Sequence, residues 1–252
     1  GDEVFCGSGS MGSNGSYAEY IAVPEAIVAL KPKSISFEQA AAIPSAGLTA
    51  LQTFKRLKLN TDDTILVTGA TGGVGSFVMK YLTANDFHNV VATVGSEENR
   101  QILLKIGLQN HQIINYKEEN LVANLLKANN NKPFDFGIDL VGNYMSEVTA
   151  DALKINGTYA DVTALITKDA HETLFNKGTV IVNISNYSYT MSKDYQYYKG
   201  NLEEISKLIE TGIISPPQYK TIGNLSLETV LKAHSILKNN QTQGHKLIMK
   251  HE

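Results

Sequence analysis

Three glycines at equal spacing, Gly69, Gly72 and Gly75, follow the apolar run Ile65-Leu66-Val67 and open a helical pattern. A chain that leaves a strand, turns at once and enters a helix needs residues without a Cβ at such points. Gly69 makes the tight turn, Gly72 lets backbone approach a pyrophosphate, and Gly75 lets helix and strand pack closely. Ala70, Thr71, Gly73 and Val74 complete the loop. The N–H groups and dipole of the helix it feeds attract phosphate charge. Glycine-rich turns are common, so the spacing alone is weak evidence. Here a strand precedes, an amphipathic helix follows and a second strand is expected at 89–94, which is the context a dinucleotide site requires.

Composition narrows the chemistry further. With 42% hydrophobic and 19% charged residues, the 252-residue chain can bury a substantial core. Cys6 is its one cysteine, so neither an internal disulfide nor a multi-cysteine zinc site can form within it. No basic residue lies near Cys6 in sequence to lower its thiol pKa, and a small buried or half-buried role is expected. The six histidines are scattered, with no pair at a metal-binding spacing. A net charge of -3 gives no general attraction for nucleic acid or an anionic membrane. No apolar run approaches the roughly 20 residues of a membrane helix and no signal peptide is seen, so the cytosol is the expected compartment.

Beyond Thr64 strands and helices alternate. Strands are expected at 64–68, 89–94, 112–115, 134–140, 156–161 and 179–184, with helices at 74–84, 97–106, 118–128 and 144–153. That pattern predicts an α/β chain with a doubly wound parallel sheet, a Rossmann dinucleotide-binding domain over 46–185. Residues 1–45 and 186–252 read as a second, β-rich domain. It would hold a Gly/Ser loop at 7–16, short strands on either side of Pro24, and a helix begun by a Ser36/Gln39 capping box and broken at Pro44. Another helix is expected from Gly47, a long one at 201–211 stopped by Gly212, a strand near Tyr219, a helix at 227–237 and a last strand at 246–249. Sites in open parallel sheets lie at the carboxyl ends of the strands, so the cleft between the domains should hold the reacting groups. The chain starts Gly1-Asp2-Glu3-Val4 with a strand under way, which suggests a fragment.

Four ordered segments carry a more specific resemblance. They are Gly15-Ser-Tyr-Ala-Glu-Tyr20, Ala40-Ala-Ala-Ile-Pro-Ser-Ala-Gly-Leu-Thr-Ala50, Gly69-Ala-Thr-Gly-Gly-Val-Gly75 and Asp135-Phe-Gly-Ile-Asp-Leu-Val-Gly142. Together they resemble the medium-chain dehydrogenase/reductase superfamily, and within it the zinc-free quinone oxidoreductase branch. The match continues to Gln243-Gly-His-Lys-Leu-Ile248 and so covers essentially the whole chain. The resemblance implies a Rossmann domain inserted into a GroES-like domain, of which this chain would lack most of the N-terminal barrel and much of the substrate pocket. It also implies where zinc ligands would stand: a cysteine cluster soon after Gly1-Asp2, and a cysteine near Pro44-Ser45-Ala46. A Gly/Ser loop follows Cys6 and Ser45 is a poor ligand, so no zinc is expected.

The second Rossmann strand ends Thr93-Val94-Gly95-Ser96, without the acid that usually accepts from the ribose 2′-OH of NAD. Ser96, Arg100 and Tyr116, at positions where relatives bind a 2′-phosphate, are therefore expected to favour NADPH over NADH. Three departures work against this: Asn99 stands at the relatives' basic position, Asn240 replaces another basic residue, and Glu97 and Glu98 lie close by.

The resemblance places Asp139, Val141 and Gly142 along the nicotinamide ribose, and Ser45 and Thr49 near the nicotinamide. Without zinc, the acceptors of a hydride from NADPH would be electron-poor quinones or conjugated enones. No catalytic proton donor is named. The stretch 187–198, with five tyrosines and Lys193, could cover the site, stack a substrate, bind single-stranded nucleic acid or form an interface, the last being its commoner use. The apolar strand at Thr179 to Ile184 could pair with its copy in a homodimer, as in relatives. Two other readings stand beside the reductase: a non-catalytic NADPH-binding protein, crystallin-like or RNA-binding, and a zinc-type alcohol dehydrogenase-like enzyme.

Overall fold

The computed structural model describes residues 1–7, 15–239 and 241–251. Most of the expected Gly/Ser loop, and Asn240, lie outside them. The chain divides into two units, Gly1–Thr49 with Asn186–Glu252, and Ala50–Ser185. The first crossing falls after Thr49, inside a helix, where the sequence suggested residue 45.

In chain order the first unit opens with β1 (Val4–Cys6), which runs antiparallel to β2 (Val28–Leu30) with Phe5 opposite Ala29. A 3-10 turn precedes β2, and among the described residues no strand forms between β1 and Pro24. Helix α1 (Phe37–Ala41) starts with the expected capping box: Gln39 N–H donates to Ser36 Oγ and Ser36 N–H to Gln39 Oε1. Helix α2 (Pro44–Leu57) begins at the proline itself, not at Gly47. Proline suits the first helical turn, where its missing N–H costs no bond.

The second unit then alternates β3 (Ile65–Thr68), α3 (Gly73–Ala84), β4 (Val90–Val94), α4 (Glu97–Ile106), β5 (Ile113–Asn115) and α5 (Leu121–Ala128). It continues with β6 (Phe134–Asp139), α6 (Tyr144–Ala152), β7 (Leu153–Asp161), α7 (Lys168–Asn176) and β8 (Val180–Asn183). The six strands form one parallel sheet in the order β5-β4-β3-β6-β7-β8. This is the doubly wound arrangement, with the order reversing between β3 and β6. Ile65, Leu66 and Val67 are all fully buried, as expected of a central strand covered on both faces. Leu66, Phe134, Val148, Leu153, Tyr159 and Leu174 belong to one apolar core cluster. Each aliphatic side chain so buried is worth about 2 kcal/mol. Helix α6 ends against Lys177, whose Nζ donates to the carbonyls of Ala150 and Asp151.

The chain re-enters the first unit through α8 (Tyr187–Met191) and α9 (Gln196–Glu210), followed by β9 (Tyr219–Asn224), α10 (Leu227–Lys238) and β10 (Lys246–Lys250). Strands β9 and β10 pair in parallel, with a bulge between Ile248 and Met249. Tyr198, Leu202, Ile205 and Ile209 form the buried stripe of α9 at helical spacing. Among the described residues, no helix is long and apolar enough to cross a membrane.

Candidate functional site

The glycine turn forms where β3 ends. Gly69 adopts φ +67°, and the N–H of Gly72 donates to its carbonyl at 3.0 Å, closing the turn. A Cβ on Gly75 would run into Gly69 O and the Ala70 backbone, so α3 reaches the turn only because that residue is bare. A Cβ on Gly69 would lie 2.9 Å from Val141 Cγ2, which shows how closely this turn abuts the one that follows β6. Ala70 and Thr71 are buried. Helix α3 has Gly72 as its N-cap residue and no side-chain cap, whereas Ser36, Ser96, Thr167 and Ser226 cap α1, α4, α7 and α10. The first-turn N–H groups of Gly73, Val74 and Gly75 therefore have no side-chain cap. A pyrophosphate fits that set of donors.

Asp139, at the end of β6, is fully buried. Its Oδ1 accepts from Thr68 Oγ1 at 2.7 Å and from the N–H groups of Val141 and Gly142 at 3.0 Å each, and its Oδ2 accepts from Tyr159 hydroxyl at 2.6 Å. Burial first, and then this carboxylate, hold the Tyr159 hydroxyl protonated far above the usual phenol range. Asp139 is thus enclosed and shapes the turn, whereas Val141 is exposed. Gly142, at φ +73°, lies against Thr163 and Leu165, in the turn after β7.

At the ends of β4 and β5, Tyr116 lies over Gly95 so closely that a Cβ there would strike its ring and hydroxyl. Gly95 was not singled out from the sequence, because its need for a bare Cα comes from a residue 21 positions away. Ser96 Oγ accepts from Asn99 N–H at 3.3 Å, and the Ser96 hydroxyl hydrogen is still available to donate. Arg100 is held by two neighbours. Its Nη1 donates to Asn110 O at 3.3 Å and its Nε lies 3.5 Å from Glu97 Oε2. Glu97 is also bonded by Gln101 Nε2 at 2.7 Å. The cation beside Tyr116 is Lys117, with Nζ 5.9 Å from the ring centroid. Sequence spacing put Arg100 within one residue of the expected position, but one residue turns a helical side chain by about 100°.

In the first unit, Ser45 and Thr49 share the first turns of α2. Thr49 Oγ1 donates to Ser45 O at 2.8 Å and accepts from Asn186 Nδ2 at 3.0 Å, while Tyr197 hydroxyl donates to Asn186 Oδ1 at 2.9 Å. In the tyrosine-rich stretch Tyr198 is buried, Tyr189, Tyr195 and Tyr197 are half-buried and Tyr187 is exposed. Tyr189 and Tyr197 stack with ring centroids 3.4 Å apart, and buried Tyr198 donates to Asn186 O at 2.6 Å. An apolar groove of about 620 Å³ is lined by Phe5, Cys6, Phe37, Ile248 and Met249. Burial pushes the Cys6 thiol pKa up, which makes it a poor nucleophile. Among the described residues, no three His, Cys, Asp or Glu side chains gather as a metal site.

Comparison with known proteins places this arrangement. The family model described as zinc-binding dehydrogenase matches residues 73–207, more than half of the chain. The NAD(P)H oxidoreductase RTN4IP1, mitochondrial, of Dictyostelium discoideum is 30% identical over 98% of this chain and 74% of its own length. Quinone oxidoreductase 1 of Escherichia coli (strain K12) is 30% identical over 99% of this chain and 75% of its own. The solved quinone oxidoreductase of Pseudomonas syringae pv. Tomato DC3000 has the same fold, with a TM-score of 0.84 at 24% identity over 98% of this chain and 75% of that one. The mycobacterial protein Rv1454c, solved in complex with NADPH, gives 0.81 at 22% identity over 96% and 72%. The uncapped α3, the glycine turn and the matches across nearly the whole chain agree: this chain belongs to the medium-chain dehydrogenase/reductase superfamily of oxidoreductases.

Proposed function

We propose that this protein takes NADPH along the carboxyl ends of β3, β6 and β4 and transfers its hydride to a quinone or conjugated enone, without zinc. The observation that carries the reading is the α3 N-terminus, capped only by Gly72 and pressed against a turn that three glycines make possible. Gly73, Val74 and Gly75 would hold the pyrophosphate through their N–H groups, Val141 and Gly142 would border the nicotinamide ribose, and Ser96, Tyr116 and Lys117 would take the 2′-phosphate. The absence of an acid at the end of β4, and the capture of Glu97 by Gln101 and Arg100, support NADPH over NADH. Bound nicotinamide supplies the hydride; the chain's part is to orient it and keep the turn rigid. Among the described residues no three His, Cys, Asp or Glu gather to polarise a carbonyl through a metal, and an acceptor that is already electron-poor suits such a site.

The names of the quinone oxidoreductase relatives point to the same substrate class. A homodimer through β8 is part of this reading, since β8 pairs with β7 along one edge only. So is a cytosolic site of action. Oxidation of NADPH by the protein is measured by absorbance with 1,4-benzoquinone and, in parallel, reduction of NADP by simple alcohols with and without added zinc. Turnover with the quinone and none with alcohols is expected. Alcohol oxidation that requires zinc would overturn the reading. Tight NADPH binding with no turnover across a broad acceptor panel would favour a non-catalytic binding role.

A further inference from the structure

We infer that Glu97 limits how strongly this site prefers NADPH over NADH, by occupying the Arg100 guanidinium that a 2′-phosphate would otherwise draw; the inference rests on the function proposed above. Ser96, the N-cap residue of α4, and Arg100 stand one helical turn apart, and Arg100 N–H donates to Ser96 O at 3.1 Å. Residues so spaced share a helix face, and helical side chains lean toward the N-terminus, which carries the Arg100 side chain from its own turn toward Ser96. Its guanidinium is engaged elsewhere. Nε lies 3.5 Å from Glu97 Oε2, and Nη1 donates to Asn110 O at 3.3 Å.

Both of these contacts are long, since a charge-assisted N–H···O bond settles at about 2.7–2.9 Å. Glu97 is fixed more firmly than the arginine it holds. Its Oε1 accepts from Gln101 Nε2 at 2.7 Å, one turn further along the helix, so the carboxylate is anchored on α4 independently of Arg100. With the Glu97 side chain 70% exposed, the pair contributes little to the fold. An acid in the first turn suits the α4 dipole, and Glu98 supplies that as well. The consequence of the pair falls instead on an arriving anion. A 2′-phosphate has to compete for Arg100 with a carboxylate already in place, whereas NADH, whose ribose carries a hydroxyl there, meets no such competition. Arg100 is thus a cation held in reserve, and Glu97 decides whether a phosphate can recruit it.

The test is calorimetric titration of the wild type, Glu97→Gln, Arg100→Ala and the double variant with NADPH and with NADH, together with thermal melts. Glu97→Gln is expected to bind NADPH about 3- to 10-fold more tightly, the gain of about one charge-assisted contact, and NADH within about 2-fold of wild type. Arg100→Ala alone is expected to change NADPH affinity less than about 2-fold, and in the double variant the gain is expected to vanish. Melting temperatures should stay within a degree or two of one another. Such non-additivity, confined to the phosphorylated nucleotide, is an effect that a structural role for Glu97 would not produce. Unchanged NADPH affinity in Glu97→Gln, with the wild type binding normally, would overturn the inference and leave the proposed function standing. A gain retained in the double variant would overturn it too, by assigning the effect to the Glu97 charge without Arg100. So would weaker NADH binding by Glu97→Gln, which would make Glu97 an acceptor for the ribose hydroxyl. A wild type that binds neither nucleotide would overturn the proposed function and this inference with it.

Discussion

At the ends of β3 and β6, Asp139 takes four donors in a buried setting, and Gly69 and Gly75 sit where a Cβ has no room. At the ends of β4 and β5, by contrast, Tyr116 is 44% exposed and Arg100 is tied to Asn110 and Glu97 on its own surface. The first region is held by backbone geometry and buried hydrogen bonds, so its function and its stability are inseparable. The second is built from surface side chains, which under the proposed function would set the preferred nucleotide with little consequence for the fold.

The sharpest way to break the contrast is Gly75→Ala. The added methyl meets backbone rather than a flexible side chain, so a loss of about 3 kcal/mol or more is expected, with NADPH binding lost as well. Denaturant unfolding checks the first part; a loss below 1 kcal/mol would mean that α3 is not pinned to the turn. Asp139→Asn should come next, costing about 2–4 kcal/mol, because an amide cannot accept from all four donors and leaves buried N–H or O–H groups unpaired. NADPH affinity should fall about 10-fold or more as the Val141–Gly142 turn loosens, measured alongside stability. The smallest effects belong to the other end. Lys117→Ala is expected to lower the NADPH-over-NADH preference about 5- to 10-fold, and Arg100→Ala less than about 2-fold, with neither changing the melting temperature by more than a degree or two. The reverse order in titrations would restore Arg100 as the phosphate ligand.

What could be read from the sequence follows the same division. The strand, glycine turn and helix at 65–84 were legible because strand hydrophobicity, turn residues and helical pattern are all local signals that agree there. The Ser36 capping box was legible for the same reason. Helix α7 was not assigned, since its pattern, KDAHETLFN, holds few apolar residues and its order comes from Ala170 and Leu174 packing into the core. The tyrosines at 187–198 looked like a surface feature, although Tyr198 lies in the interior and Tyr189 and Tyr197 cover each other. Composition says that such residues favour interfaces but not which face of a helix they occupy. Gly95 escaped because its significance is tertiary: it makes room for Tyr116.

The most direct measurement is titration of the protein with NADPH and with NADH by calorimetry. Saturable binding of one molecule per chain, tighter for NADPH, is the expected result and would support the glycine turn and α3 N-terminus as a working nucleotide site. No binding of either nucleotide would contradict it, and would mean that this turn keeps the shape of a dinucleotide site without its function.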